Sequence, residues 1–436
     1  MPAFREIPNL EWLNFEGCVK LVQMDPSIGV LRKLVFLNLK DCKNLVSIPS
    51  NLFGLSSLEI LILSGCPKVF RNPRNLSISE NASHSQSTIS SILKWTTFVF
   101  DSLYPDAQNY LSSCLLPPFL SLCNLLVLDI SFCGLRQIPD AIGGLHWLER
   151  LDLGGNNFVT VPSLSELPGL VYLDLEHCKL LESLPQLPFP TAKHDLHKYN
   201  KYKYWKRIGL VLFNCPKLGE RERCNSVAFS WMMQFIQARQ QSSTAFFDVI
   251  NIVIPEREIP NLFNNQSVRG SIPMELSPFL HDNEDNIIGI ACCAVFSVAP
   301  IDPSTTINAN SYDIELSFYN KSNHHAWCEL FSGIPVIRER DLIAVKSDHM
   351  WLIHFTRESF IDILKSIDIT LNHPDDFIMK VVSWNCDVKS CGYHWVYEQD
   401  LQLNHGCGNS LDRKCRFLAI EDEAQQLHYS SDCIKP

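Results

Sequence analysis

The chain has 436 residues, 46% of them hydrophobic and 19% charged, so it is too apolar for a disordered polymer and long enough for two or three domains. Its formal net charge of −10 argues against a nucleic-acid partner, whose docking surface shows as a basic stripe. No apolar run reaches the ~18 residues a membrane span needs, and the start, MPAFREIPNLEW, has neither region of a secretory leader. The expected location is the cytoplasm, with the nucleus as the alternative.

Six segments carry versions of Leu-x-x-Leu-x-Leu-x-x-Cys/Asn, at Leu10–Cys18, Leu34–Cys42, Leu58–Cys66, Leu125–Cys133, Leu148–Asn156 and Leu170–Cys178. Their starts lie 24, 24, 67, 23 and 22 residues apart, the period of a leucine-rich-repeat solenoid. Each unit offers a short strand whose inward leucines need a neighbouring unit to bury against, which leaves one long open face for macromolecules. Phe4-x-x-Ile7-Pro8 matches the repeat tails Leu45-x-x-Ile48-Pro49 and Leu181-x-x-Leu184-Pro185, and no polar cap precedes Leu10. The chain is therefore expected to be a fragment or truncated product of a longer protein.

Of 17 cysteines, Cys18, Cys42, Cys66, Cys133 and Cys178 share one repeat position, which Asn156 fills in the remaining unit. A column of thiols packed inside the turns fits a reducing compartment. Asn75, Asn81, Asn265 and Asn320 begin glycosylation sequons and are read as chance matches.

The solenoid is assigned to residues 1–190, with an irregular excursion over about residues 70–122 read as a Ser/Asn-rich loop plus one poor repeat. Residues 191–245 form a linker and docking helix: the basic HKYNKYKYWKR at 197–207 reads as solvated chain rather than a phosphate patch. A docking helix follows at 228–241, with Phe229, Met232, Met233 and Ile236 on one face. The period then becomes that of strands, at 247–254, 271–276, 286–298, 312–319, 349–355, 377–384 and 392–399, which predicts an antiparallel sandwich over 246–401. Ser359–Ile367 reads as a short helix and 402–436 as a polar tail.

Strand alternation puts three columns of side chains on the concave face of the repeats. The first holds Trp12, Phe36, Ile60, Val127, Arg150 and Tyr172; the second Asn14, Asn38, Ile62, Asp129, Asp152 and Asp174; the third Glu16, Lys40, Ser64, Ser131, Gly154 and Glu176. Asp129, Asp152 and Asp174 should stack at a strand spacing of ~5 Å, a repulsive stripe suited to a partner carrying Lys or Arg. The alternative is a solvated face whose aspartates end the strands. Candidate partner-binding residues here are Trp12, Phe36, Asn38, Lys40, Asp129, Arg150, Asp152, Tyr172, Asp174 and Glu176.

Catalytic readings fail. Gly-x-Ser-x-Gly, His-Glu-x-x-His and Cys-x-x-Cys are missing, and Cys386, Cys391 and His394 fit zinc spacing poorly, so they read as structural. The pair His324-His325 reads as exposed loop, and His349 as a strand-edge residue. No cofactor or metal is expected. A carbohydrate platform built on Trp327, Trp351, Trp384 and Trp395 is a rival that requires these rings to be exposed. An extracellular leucine-rich receptor fragment is a second rival, though it would need a leader and paired capping cysteines.

Repeats written LVFLNLKDCKNLVSIPSNLFGLSSLEILILSGC, with LFNCPKL at 212–218, resemble the C-terminal part of plant intracellular immune receptors of the TIR–nucleotide-binding–leucine-rich-repeat class. The family's post-repeat domain opens with Pro-Gly-x-x-Ile-Pro-x-Trp-Phe and closes with Cys-Gly-x-x-x-x-Tyr. Here Pro255 to Phe263 and Cys391 to Tyr397 stand at those places, with Glu256 for Gly and Leu262 for Trp. Leucine keeps the apolar contact and loses the indole N–H. The resemblance implies an α/β leucine-rich-repeat solenoid followed by an all-β jelly-roll/Ig-like sandwich, and a recognition role in defence. It adds Ile259, Pro260, Leu262 and Phe263 as partner-binding candidates. Implied partners are a pathogen effector, a guarded host protein and the family's own nucleotide-binding domain. The family's NAD-cleaving TIR and ATP/ADP-binding domains have no counterpart in the sequence, which holds no Gly-x-x-x-x-Gly-Lys-Ser/Thr loop, so no enzyme activity is expected.

Overall fold

The computed structural model describes residues 4–70, 122–190, 208–221, 224–240, 249–275, 286–298, 312–322, 324, 326–334, 345, 347–367, 377–384 and 386–402. It falls into two compact units, Met1–Pro188 and Phe189–Pro436.

The first unit is built on six three-residue strands, β1 (Trp12–Asn14), β2 (Phe36–Asn38), β3 (Ile60–Ile62), β4 (Val127–Asp129), β5 (Arg150–Asp152) and β6 (Tyr172–Asp174). They pair in parallel and in register, so the predicted columns stack residue on residue, from Trp12 on Phe36 to Asp152 on Asp174. Between the open-face residues Leu37, Leu61, Leu128, Leu151 and Leu173 point inward and are fully buried. Strand β3 pairs directly with β4, and the Leu126 N–H donates to the Glu59 carbonyl at 2.8 Å. No repeat strand is inserted between these two; the expected loop and poor repeat lie outside the described residues.

The return segments are 3-10 turns rather than α-helices, at Pro26–Val30, Ser50–Gly54 and Asp140–Gly144. A repeat of 22 to 24 residues leaves few for the return, and the 3-10 form covers more length per residue, ~2.0 Å against 1.5 Å. Proline presets its first turn: Pro26 lies inside one, and Pro49 and Pro139 cap the others.

Inside the turns, the repeat thiols bind backward along the array. Cys42 Sγ donates to the Phe15 carbonyl at 3.1 Å, Cys66 to Leu39 at 3.0 Å, Cys133 to Leu63 at 3.2 Å and Cys178 to Leu153 at 3.6 Å. Burial pushes the Cys66 thiol up to about 12, which makes it a packing group rather than a nucleophile. Cys18 departs from the expected core column: it is exposed, because β1 has a neighbour on one side only.

In the second unit, β7 (Ile208–Val211), α1 (Pro216–Arg221) and α2 (Cys224–Gln240) occupy the span read as a linker and docking helix, and α2 is that helix. Strand β7, a four-residue apolar run on the edge of a basic segment, was not among the expected strands. One sheet has the order β7-β8-β14-β11-β16-β9, with β8 (Val249–Ile254), β9 (Asn265–Ser267), β11 (Ile287–Val298), β14 (His349–Thr356) and β16 (Cys386–Tyr397). Within 246–401 its pairs are antiparallel, as expected; the parallel pair, β7–β8, is added by a strand from before that span. The other sheet, β10-β15-β12-β13, is antiparallel throughout, from β10 (Ser271–Pro273), β12 (Tyr312–Asn320), β13 (Ala326–Ile334) and β15 (Phe377–Trp384).

An aromatic cluster joins the two sheets. Phe318 of β12 lies edge-on to Phe355 of β14 at 5.7 Å and to Phe360 at 5.2 Å, and stacks on Phe377 at 5.7 Å. Phe360 belongs to α3 (Arg357–Ser366), which starts where Thr356 Oγ1 accepts the Ser359 N–H at 3.2 Å. Replacing Thr356 with Ala should cost about 1 kcal/mol, read as a lowered melting temperature of this unit; an unchanged value would show that the cap is idle.

Two of the four tryptophans of the carbohydrate reading are interior: Trp351 donates its indole N–H to Asn251 Oδ1 at 3.1 Å, and Trp395 packs edge-on to Phe360. Their burial removes them from any sugar platform; the Trp327 and Trp384 side chains lie outside the described residues. His349 is no strand-edge residue. It is 0% exposed, packs near Phe213 and Phe296, and its Nε2 accepts the Asn214 N–H at 2.9 Å. Asn320 is buried, with its Nδ2 donating to the Ile367 carbonyl, which is incompatible with glycosylation there.

Candidate functional site

The open face of the first unit is graded. Trp12 is 40% exposed and stacks on buried Phe36 with centroids 4.8 Å apart, and Asn14, Glu16 and Lys40 are exposed beside them. Toward β5 and β6 the face closes: Arg150 is 7% exposed, Asp174 6% and Glu176 5%, while Asp129, Asp152 and Tyr172 are half-buried. This burial counts against the alternative of a solvated face. Long side chains on strands ~4.8 Å apart cover one another, and Arg150 lays its guanidinium 3.9 Å from the Tyr172 ring centroid.

The second column has a job the sequence did not disclose. Asn14, Asn38, Asp129, Asp152 and Asp174 each turn Oδ1 back to accept the backbone N–H two residues on, at 2.9, 2.9, 3.0, 3.0 and 2.9 Å. Asparagine and aspartate suit this because their short side chains form such turns locally. Asp129 also accepts the Ser131 hydroxyl at 2.7 Å, and Asp174 Oδ2 accepts the Tyr172 hydroxyl at 2.9 Å. The aspartates do end their strands, yet they remain a stacked set of carboxylates.

That stacking shows in their protonation. Burial, then the charges of Asp129 and Asp174, holds the Asp152 carboxyl well above the usual range. Burial, then Asp174, Asp152 and Asp129, does the same for Glu176. Asp174 is pushed up to about 6, mainly by burial, and Asp129 is raised, also mainly by burial.

Next to the third column runs a column of left-handed residues, Gly17, Asp41, Gly65, Phe132, Gly155 and His177, with φ between +53° and +70°. Phe132 and His177 stand where glycine is favoured, and bulky residues are rare there. Gly155 makes room: a Cβ on it would lie 2.2 Å from the Phe132 ring, which reaches within 6.2 Å of the His177 ring. Gly154, Phe132 and His177 were not among the sequence candidates, although aligning the repeats on their glycines exposes the last two as exceptions.

The loop candidates of the second unit are more interior than expected. Phe263 is buried against Phe229 of α2 at 5.6 Å and edge-on to His394 at 6.2 Å, and Ile259 is buried. Pro260 and Leu262 are half-buried, and the Phe263 N–H donates to the Pro260 carbonyl at 3.0 Å. The structure therefore places Phe263 in the packing between loop, helix and sheet, and buries Ile259.

A leucine-rich-repeat family model matches residues 119–180, and a C-JID domain model matches residues 254–402. The chain is 30% identical over 207 residues to disease resistance-like protein DSC1 of Arabidopsis thaliana, covering 43% of this chain and 17% of that protein. It is 25% identical to the TMV resistance protein N of Nicotiana glutinosa, covering 64% of this chain and 24% of that protein. To disease resistance protein RPS4B of Arabidopsis thaliana it is 26% identical, over 64% of this chain and 23% of that protein. The matched region thus spans roughly a fifth of the length of these relatives. Among the described residues no helix is long and apolar enough to cross a membrane. The repeat array followed by the C-JID domain makes this chain correspond to the leucine-rich-repeat and post-repeat part of a plant TIR–nucleotide-binding–leucine-rich-repeat disease resistance protein.

Proposed function

We propose that the chain is the non-enzymatic recognition module of an intracellular immune receptor, acting in the cytoplasm or nucleus. In this reading its open repeat face captures a basic segment of a pathogen effector or of a guarded host protein. The observation that carries it is the set of four carboxylates, Asp129, Asp152, Asp174 and Glu176, stacked on three adjacent repeats with Arg150 the cation among the first-column residues of those strands. Such a set repels itself and is relieved by an incoming lysine or arginine. The two-sheet second unit is read as a jelly-roll/Ig-like domain that supplies a second docking surface through its loops. ADP binding and NAD hydrolysis would belong to other domains of a full-length receptor.

The test is the double variant D152R/D174R in the full chain. Binding to a candidate effector or host protein with a lysine- or arginine-rich surface, followed by surface plasmon resonance, should weaken at least tenfold. Equal affinity with retained folding would remove the open face from the interaction.

A further inference from the structure

At the two ends of the open face the same third-column residue type meets different neighbours. In the first two repeats Glu16 is supplied with partners: Lys40 Nζ lies 3.9 Å from its Oε1, and Asn38 Nδ2 donates to its Oε2 at 3.2 Å. The second repeat thus provides a cation from the third column and a donor from the second.

In the last two repeats the counterpart is Glu176, and the neighbouring third-column residue is Gly154. The second-column neighbours are Asp152 and Asp174, carboxylates in place of an amide. The Glu176 side chain leans over Gly154: a Cβ there would stand 2.8 Å from Glu176 Cγ and 3.4 Å from Asp152 Oδ1. The two carboxyl-bearing side chains therefore converge from adjacent repeats on the space above a residue with no side chain. Glu176 is 5% exposed, and its Oε2 is buried without a hydrogen-bond partner. The charges acting on it are those of Asp174, Asp152 and Asp129, all of its own sign. A buried carboxylate oxygen left in that condition is costly unless a donor reaches it.

We propose that Glu176 and Asp152 form a seat above Gly154 for one cationic side chain of a protein partner, a lysine or arginine, which takes the place that Lys40 holds beside Glu16. This rests on the reading that the open face captures a basic segment, and it names the point of that face at which a single side chain is held. Half-buried Asp152 is the rim of the seat and Glu176 its floor. An ammonium or guanidinium entering there gives Glu176 Oε2 a donor and offsets the repulsion between the two carboxylates.

The probe is fluorescein-labelled hexalysine, titrated into the full chain by fluorescence anisotropy, with acetylated hexalysine as the uncharged control. The full chain should bind hexalysine and ignore the acetylated peptide. E176Q, which keeps the shape and removes the charge, should weaken binding about tenfold. G154K fills the seat from within the chain, its Cβ pushing Glu176 Cγ aside; it should abolish probe binding. Should E176Q fold poorly, G154K decides the matter alone, because probe binding intact in folded G154K overturns the seat. Wild-type affinity in folded E176Q overturns it as well. If D152R/D174R loses the probe while E176Q and G154K keep it, the acidic face survives and the seat falls. If all three bind like the unaltered chain, both fall together.

Discussion

Replacing Asn156 with Ala should destabilise the repeat array by about 3–4 kcal/mol, enough to unfold a marginal solenoid at ambient temperature. Asn156 is 1% exposed and uses its amide completely. Its Oδ1 accepts the backbone N–H groups of Cys133 at 3.2 Å and Leu135 at 3.0 Å; its Nδ2 donates to the carbonyls of Ile130 at 3.1 Å and Leu153 at 2.7 Å. Alanine orphans three buried backbone groups that water cannot reach and leaves the Leu153 carbonyl with the weak Cys178 thiol donor alone. Cysteine, which fills the position elsewhere, could restore the bond to Ile130 but no strong acceptor for the two N–H groups, so N156C should recover only part of the loss. Denaturant unfolding of the full chain measures both. A cost under 1 kcal/mol for N156A would mean that the neighbouring repeats re-pair those groups, and that the side chain is not what ties β4 to β5.

The second large effect has the opposite sign. Asp174 has a folded-state carboxyl pushed up, mainly by burial, to about 6 from its ordinary 3.8. A carboxyl raised on folding contributes stability that is fully present below its unfolded value and is lost as pH climbs through the folded value. Between pH 4 and 6 the array should therefore weaken as pH rises, by about 3 kcal/mol for this group alone. Asp152 and Glu176, raised for the same reasons, push in the same direction. D174N keeps an oxygen to accept the Glu176 N–H and has no charge to bury. It should stabilise the array at pH 7.5 by about 2 kcal/mol, a rise of roughly 5 °C in melting temperature, and the gain should vanish near pH 4. Paired thermal melts of the two proteins across that range cancel the contribution of the histidines. A D174N that melts lower than the unaltered chain at pH 7.5 would show that the carboxylate is held by an attraction stronger than its burial. The stored cost is what a recognition surface pays in stability, since a partner that neutralises the stripe regains it on binding.

The repeat period was enough to place every strand of the array and the register of its three columns, because the inward leucines permit one stacking only. The role of the second column was harder to read. Whether an aspartate faces solvent or folds back on its own backbone depends on the left-handed residue three places later, as at Asp129 with Phe132 and Asp174 with His177, and that conformation leaves no mark on hydrophobic periodicity. In the second unit the long alternating runs were legible, such as Ile287–Val298 and Phe377–Trp384. Strands β7, β9 and β13 were not: Ile208–Val211 has four residues, Asn265–Ser267 is polar and held in place by pairing with β16, and Ala326–Ile334 loses its alternation at Leu330-Phe331. The family resemblance marks Phe263 as a partner-binding candidate, whereas the docking helix, α2, packs its Phe229 on that ring. Neighbours distant in sequence settled these cases.

The direct pairing of β3 with β4 bears on how the array forms. Elsewhere the chain returns to the sheet after 22 to 24 residues, and here only after 67. Closing the longer loop adds about 1 kcal/mol of chain entropy, a modest charge on a finished structure but one that must be met before any contact across the junction exists. The three repeats on each side can stack by short closures alone. The array thus has a built-in seam, at which two preassembled halves meet in the course of folding, and the hydroxyl pair Ser64 and Ser131, 2.7 Å apart, lies across it.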